Sequence, residues 1–219
     1  MYIFVNDDYK ILQDKRNPSL YTIKFDYYSE ALIKSITKTK IILGATVTDH
    51  FTTIRFNATS IRLLKEDTPM TYELMLKMIY YLSSQLKYLI ENCNNVFTGY
   101  SMDNVIIIDD DKFIYLPNND YIHNIEDELI TITYPFSPTD FFLSPEMSLI
   151  SEIPSKVHYK SAYYSLASLI IFCLKLDDEI TERNLINILD NSQIKGTKMY
   201  FLLIRCLIAE PENRCLLYI

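Results

Sequence analysis

Residues 98–108 hold the densest set of chemically capable side chains in this chain. Gly99, Ser101, Asp103 and Asn104 form a polar stretch, and Val105, Ile106, Ile107 and Ile108 follow directly. Asn104 carries an amide and Ser101 a hydroxyl. Gly99 has nothing that can take or give a proton. Asp109, Asp110 and Asp111 come next. Three carboxylates suggest a hard-cation site, but no Glu or Gly follows at loop spacing, so they read as a solvated hairpin turn. Lys24 and Glu30 stand earlier in the chain. Read from position alone, they are an exposed strand lysine and a first-turn glutamate favoured by the helix dipole.

Other chemistries find little support. His50, His123 and His158 are scattered, each without a Cys or His at zinc-ligand spacing. Cys93, Cys173, Cys206 and Cys215 form no C-x-x-C pair and read as reduced, buried thiols. No Gly-x-Ser-x-Gly elbow occurs. The only glycines are Gly44, Gly99 and Gly196. A phosphate-cradling loop needs several glycines, so that backbone N–H groups can approach the phosphates. We therefore expect no metal and no cofactor, with ATP binding weak or absent.

The elements that position these residues fall into two parts, a β-rich region over residues 1–66 and a helical one over 67–219. Residues 2–5, 21–25, 40–48 and 51–57 are rich in strand formers, with turn signals at residues 6–8 and 49–50. Residues 29–37 form one helix candidate with Ser29 as its N-cap. Residues 59–69 read as a polar connector. Beyond them Met75, Met78, Ile79, Leu82, Leu86, Leu89 and Ile90 recur at spacings of three and four, one apolar helix face capped by Thr71. Two short strands flank Asp109 to Asp111. Residues 118–138 read as a long surface segment. Helices are expected over 161–176, apolar nearly all round, then over 181–189 and 198–209.

The order loop, apolar run, acidic turn and second strand resembles the catalytic loop and following hairpin of protein kinases. Placing Asn104 on the family's metal-binding Asn puts Phe97, Thr98 and Gly99 where His-Arg-Asp belongs, and Ser101 where the loop lysine belongs. Ser144-Pro145-Glu146 resembles the Ala-Pro-Glu that closes the activation segment. The run from Lys160 to Ala167 resembles the start of the family's buried central helix. Cys206-Leu207-Ile208-Ala209-Glu210-Pro211-Glu212-Asn213-Arg214 resembles the late Cys-Leu-x-x-Asp-Pro-x-x-Arg signature. The resemblance implies an α+β, protein-kinase-like fold with a reduced β-rich N-lobe and a mainly helical C-lobe. It also implies a buried ion pair between Glu146 and Arg214. Lys24, in Tyr-Thr-Ile-Lys, resembles the family's strand lysine, with Glu30 as helix partner. Lys24 and Asn104 would then be remnants of a nucleotide site.

The departures imply loss of catalysis. Gly99 replaces the base, Leu116-Pro117-Asn118-Asn119 stands where Asp-Phe-Gly belongs, and Asp120 would need a shifted register. Ala162 replaces the Asp that holds the loop backbone, which implies that the support was lost with the part it supported. Phosphoryl transfer rests on positioning and electrostatics around Mg²⁺, and that apparatus is missing. The expected function is a pseudokinase acting as a scaffold or decoy for a protein partner. Alternatives are a residual nucleotide-binding or atypical serine/threonine kinase, and a structural subunit of a virion or viral complex. Abundant Ile, Asn, Lys and Tyr with the stripped N-terminal part resemble a kinase-like protein of a large cytoplasmic DNA virus.

Composition bounds the partners. A net charge of −7 argues against nucleic acid or an anionic membrane as main partner. The longest apolar run, near residues 166–174, is too short to insert in a bilayer. No leader pattern is seen at residues 1–13, so a cytoplasmic location is expected. Tyr121, Tyr134, Phe136, Phe141 and Phe142 stand among Asp120, Glu126, Asp127, Glu128 and Asp140. Aromatic anchors in a charged rim make Tyr121, Tyr134 and Phe136 the candidate interface; the alternative is that they pin the segment to its own core.

Overall fold

Period-two alternation builds the first part of the chain. In the computed structural model, which describes residues 1–39, 41–48, 50–65, 68, 70–137, 142–174 and 184–217, five strands form one antiparallel sheet. They are β1 (Tyr2–Val5), β2 (Tyr9–Gln13), β3 (Leu20–Phe25), β4 (Thr46–Thr48) and β5 (Thr53–Asn57), in the order β1-β2-β3-β5-β4. Tyr9, Ile11, Tyr21, Ile23, Phe25, Ile54 and Phe56 point inward and are buried, while Lys24 and Arg55 point outward. Helix α1 (Glu30–Thr37) lies between β3 and β4 in the chain and buries Leu32, Ile33 and Ile36. Ser29 precedes it but its side chain makes no cap bond; only its carbonyl joins the helix, accepting from Ile33. Strand β2 was not anticipated, although Tyr9-Lys10-Ile11 alternates as a strand should.

Helix α2 (Tyr72–Cys93) buries the expected apolar stripe. Thr71 Oγ1 accepts from Leu74 N at 3.2 Å, and Asn94 closes the helix in the left-handed conformation. A three-stranded sheet packs on it, in the order β6 (Ile61–Leu63), β8 (Val105–Ile108), β9 (Lys112–Tyr115). Strand β6 lies inside the expected connector, and pairs Ile61 with Ile108 across the boundary drawn at residue 66.

Within the expected surface segment, residues 119–132 carry short regular elements. Strand β10 (Ile122–Asn124) pairs with β7 (Asn95–Phe97), and β11 (Leu129–Ile132) with β12 (Ser155–His158). Short α3 (Pro145–Ser148) leads to α4 (Ser161–Leu174), which is buried on nearly every side, then α5 (Leu185–Asp190) and α6 (Lys198–Cys206). The last helix stops three residues before the expected end, and 181–183 lie outside the described residues, as do Lys40, Asp49, Pro138, Asp140 and Phe141. The class is α+β, with antiparallel sheets and, among described residues, six α-helices. No helix of the described residues is long and apolar enough to cross a membrane.

Candidate functional site

Residues 98–104 join β7 to β8, and several of them are tied down. Phe97 and Tyr100 are fully buried and pack edge-to-face at 5.7 Å; Tyr115 of β9 packs edge-to-face on Phe97 at 5.0 Å and tilted against Tyr100 at 4.6 Å. The Tyr115 hydroxyl donates to the Gly99 carbonyl at 2.8 Å and accepts from the Ser101 amide at 3.1 Å. Ser165 Oγ of α4 accepts from the Tyr100 amide at 2.6 Å. The Leu116 amide donates to the Asn104 carbonyl at 2.9 Å. Tyr115 is in turn fixed by Gln85, whose amide exchanges two bonds of 2.8 and 2.9 Å with its backbone.

The expectation that support was lost with Ala162 is therefore corrected. Ser165, one helical turn later, holds the loop instead. Gly99 and Ser101 are buried and Asn104 is half-buried, so the three positions do come together. What they form is a backbone knot. Tyr115 sits where burial raises its hydroxyl far above its usual range, with the Asn104 side chain beside it. A phenol kept neutral can act as a hydrogen-bond bridge but cannot serve as a base at neutral pH.

The five-stranded part meets the chain that follows β9. Tyr9 of β2 is fully buried, and Phe25 lies 6.3 Å from it and 5.7 Å from Tyr27. The Tyr27 hydroxyl donates to the Pro117 carbonyl at 2.6 Å. Asn118 Nδ2 donates to Asp8 Oδ1 at 2.6 Å. Thus the turn of the first hairpin and the bend after β3 are bonded straight onto residues 118 and 117. Burial, and then the charges of Asp7, Asp120 and Asp26, push the Asp8 carboxyl up. Asp120 lies exposed in a 3-10 turn, its amide held by Asn118 Oδ1 at 2.8 Å. No group of three or more His, Cys, Asp or Glu among the described residues is placed to hold a metal ion.

Lys24 is not part of this site. The pleat that buries Ile23 and Phe25 turns Lys24 to the outer face, away from α1. Glu30 pairs with Lys34, one turn along its own helix, at 2.5 Å and accepts from the Tyr28 hydroxyl at 2.7 Å. The acidic turn is likewise satisfied by protein partners. Asp109 meets Lys112 at 2.7 Å, Asp110 meets Arg62 at 3.2 Å, and Asp111 meets Lys77 at 2.8 Å. Partial burial opposes the Asp109 carboxylate, but bonds from Lys112 and Thr59 outweigh it and hold its pKa near 2.

Glu146 and Arg214 are brought together. Arg214 is fully buried and meets Glu146 with two parallel bonds, of 2.5 and 2.9 Å. Burial alone would raise the Glu146 carboxyl; the guanidinium outweighs that and lowers it. The aromatic segment is less open than expected. Tyr121 and Phe136 are partly buried against the core, and Phe142 packs on Phe172 at 5.3 Å, whereas Tyr134 is 51% exposed. Among the described residues, the cluster of exposed anchors reduces to Tyr134.

His123 of β10 was set aside as an isolated histidine. It is buried, 2.6 Å from Thr98 Oγ1, and burial depresses its pKa to about 4, against a smaller opposing pull from Asp120. A folded pKa below the unfolded value near 6.5 stabilises the fold fully above pH 6.5, and that contribution is lost as pH falls toward 4. The whole step amounts to about 3 kcal/mol. Urea unfolding at pH 7 and 4.5 should show a smaller acid loss for His123→Gln than for the parent. Equal losses would remove His123 from the account.

Gln85 was legible in principle, as an amide on an apolar helix face between Leu82 and Leu86. Tyr115, Ser165, Tyr9 and Tyr27 carried no comparable signal. No family model matches the chain, and a search of curated proteins returns no match.

Proposed function

We propose that this protein is a catalytically inactive relative of the protein kinases that acts by binding another protein. The order of elements supports the kinase-like part of the reading: a sheet whose third strand is followed by a helix, a long helix, a loop with Asn104, a hairpin, and Glu146 paired to Arg214. In kinases the essential lysine lies on the third strand and its glutamate on the next helix. Here Lys24 faces outward and Glu30 is engaged by Lys34. The single observation that carries inactivity is the closed seam, in which Tyr27 and Asp8 bond to Pro117 and Asn118 where nucleotide and metal would enter. Gly99 also leaves no group to accept a substrate hydroxyl proton.

The test has two arms. Ligand at a hundred times its dissociation constant stabilises a fold by about 2.7 kcal/mol. We expect no melting shift at millimolar ATP·Mg²⁺ and no γ-phosphate transfer. Turnover that vanishes in Asn104→Ala would overturn inactivity. In the second arm, partners captured from expressing cells should be lost on Tyr134→Ala, an exposed change expected to alter stability within about 0.5 kcal/mol. A folded variant that keeps every partner would exclude this surface, and capture of none by the parent would favour a structural spacer.

A further inference from the structure

We propose that the outer face of the five-stranded sheet binds an acidic, extended segment of a partner protein. The register sets three cations in a row across three neighbouring strands. Lys10 of β2 stands directly opposite Lys24 of β3, and Arg55 of β5 lies diagonal to Lys24, two residues beyond its partner Thr53. Lys24 and Arg55 are exposed, on the face away from the buried Ile23, Ile54 and Phe56. Like charges directly opposite each other destabilise a sheet. Lys10 is neutralised by Asp26 at 2.7 Å. Lys24 has no such relief, and neither it nor Arg55 forms an ion pair with a described residue. Lys15 and Arg16, in the β2–β3 turn, share a shallow hollow with Lys24 and Arg55, and they too pair with no described residue. Asp14 is the one carboxylate among the described residues that line this hollow. It accepts from the Arg16 and Asn17 amides at 2.7 and 2.9 Å, bonds that keep it charged. Four cations therefore face one anion, in a protein whose net charge is −7.

The spread of these charges chooses the ligand. Lys24 stands opposite Lys10, and the turn begins beyond the pair Gln13 and Tyr21, three residues along β2. The two ends of the hollow are therefore about 10 Å apart or more. A single phosphate or carboxylate cannot meet both ends. A chain with carboxylates at several positions can, and the guanidinium forks of Arg16 and Arg55 match carboxylate geometry. Nucleic acid fits less well. No aromatic ring among the described residues lines the hollow to stack on a base. A long polyanion, or an anionic bilayer, would also meet the acidic remainder of the molecule. A short acidic segment feels only the local field, because exposed charges more than about 8 Å away are largely screened at physiological salt. Binding here depends neither on a kinase-like ancestry nor on Tyr134.

Fluorescence anisotropy of the full chain with a labelled peptide of alternating Glu and Ser, about eight residues long and so able to span the hollow, tests this. We expect binding at low salt that weakens as salt rises, and none of the same peptide with Gln in place of Glu. Lys24→Glu with Arg55→Glu should weaken binding about tenfold or more. Lys38→Glu with Lys156→Glu makes the same change of net charge at exposed positions outside the hollow. That control should stay within about twofold of the parent. Lys24→Glu alone replaces repulsion from Lys10 by attraction, so its urea midpoint should hold or rise while binding falls. A lysine kept for the fold would lose both together. A parent that ignores the Glu peptide, an equal loss in the two double variants, or a Lys24→Glu protein that loses stability along with binding would each overturn the proposal. So would tighter binding of an oligothymidylate or of phosphatidylserine vesicles than of the peptide.

Discussion

Arg214→Ala should lose about 3–5 kcal/mol of folding stability, while Arg16→Ala, in an exposed turn, should change within about 0.5 kcal/mol. The difference follows from what each side chain leaves behind. Arg214 spends every N–H it has. Two go to Glu146, and Nε donates to the Ile208 carbonyl at 2.7 Å. The remaining two reach the Ala209 carbonyl at 3.1 Å and the Lys160 carbonyl at 3.4 Å. Its guanidinium also lies 5.1 Å from the centre of the Tyr164 ring. Truncation orphans a half-buried carboxylate and three carbonyls at the junction of α3, α4 and the chain after α6. A domain of marginal stability can scarcely absorb this. Urea unfolding of the two variants beside the parent measures it. If Arg214→Ala unfolds no more easily than Arg16→Ala, the two-bond pairing is not what holds the helical part together.

Tyr115→Phe should lose its two hydrogen bonds to the loop, leaving the Gly99 carbonyl and the Ser101 amide buried without a partner. Each orphaned group costs about 1–3 kcal/mol. The control is Tyr9→Phe. Tyr9 is equally buried, but its hydroxyl makes no bond of hydrogen-bond geometry among the described residues, and only the Asn6 side chain interacts with it. Removing that hydroxyl should be neutral or mildly stabilising. Both changes delete one oxygen from a buried ring, so the contrast isolates the bonds from the loss of volume. Similar midpoints for the two variants would mean that the loop is held by packing on Phe97 and Tyr100 alone.

The stripe on α2, its Thr71 cap and its end near Asn94 were legible because helix periodicity and capping are local. The same holds for β1, β3 and β5. What failed were strands whose pairing is not local. Residues 61–63 and 122–124 are too short to show a period, and they become strands only because Ile108 and Val96 present a ladder to them. Ser29 looked like a cap, but capping depends on the rotamer as well as the residue type. The aromatic segment misled for a related reason. Composition reports that Tyr121, Tyr134 and Phe136 are present; only packing decides that the first and last turn inward.

By itself, the sequence determined which side chains the loop has to offer. Gly99 carries none that could act as a base, and three glycines in the whole chain are fewer than a phosphate-cradling loop uses. It also set the α+β class, since periods of 2 and 3.6 are written in adjacent residues. Tertiary structure alone decided what holds the loop. Ser165 and Tyr115 are distant in sequence from the loop amides and carbonyl that they hold, and Tyr27 meets Pro117 across 90 residues. A hydrogen bond depends on a separation of about 3 Å and on direction, and neither exists until long-range packing has brought the partners together.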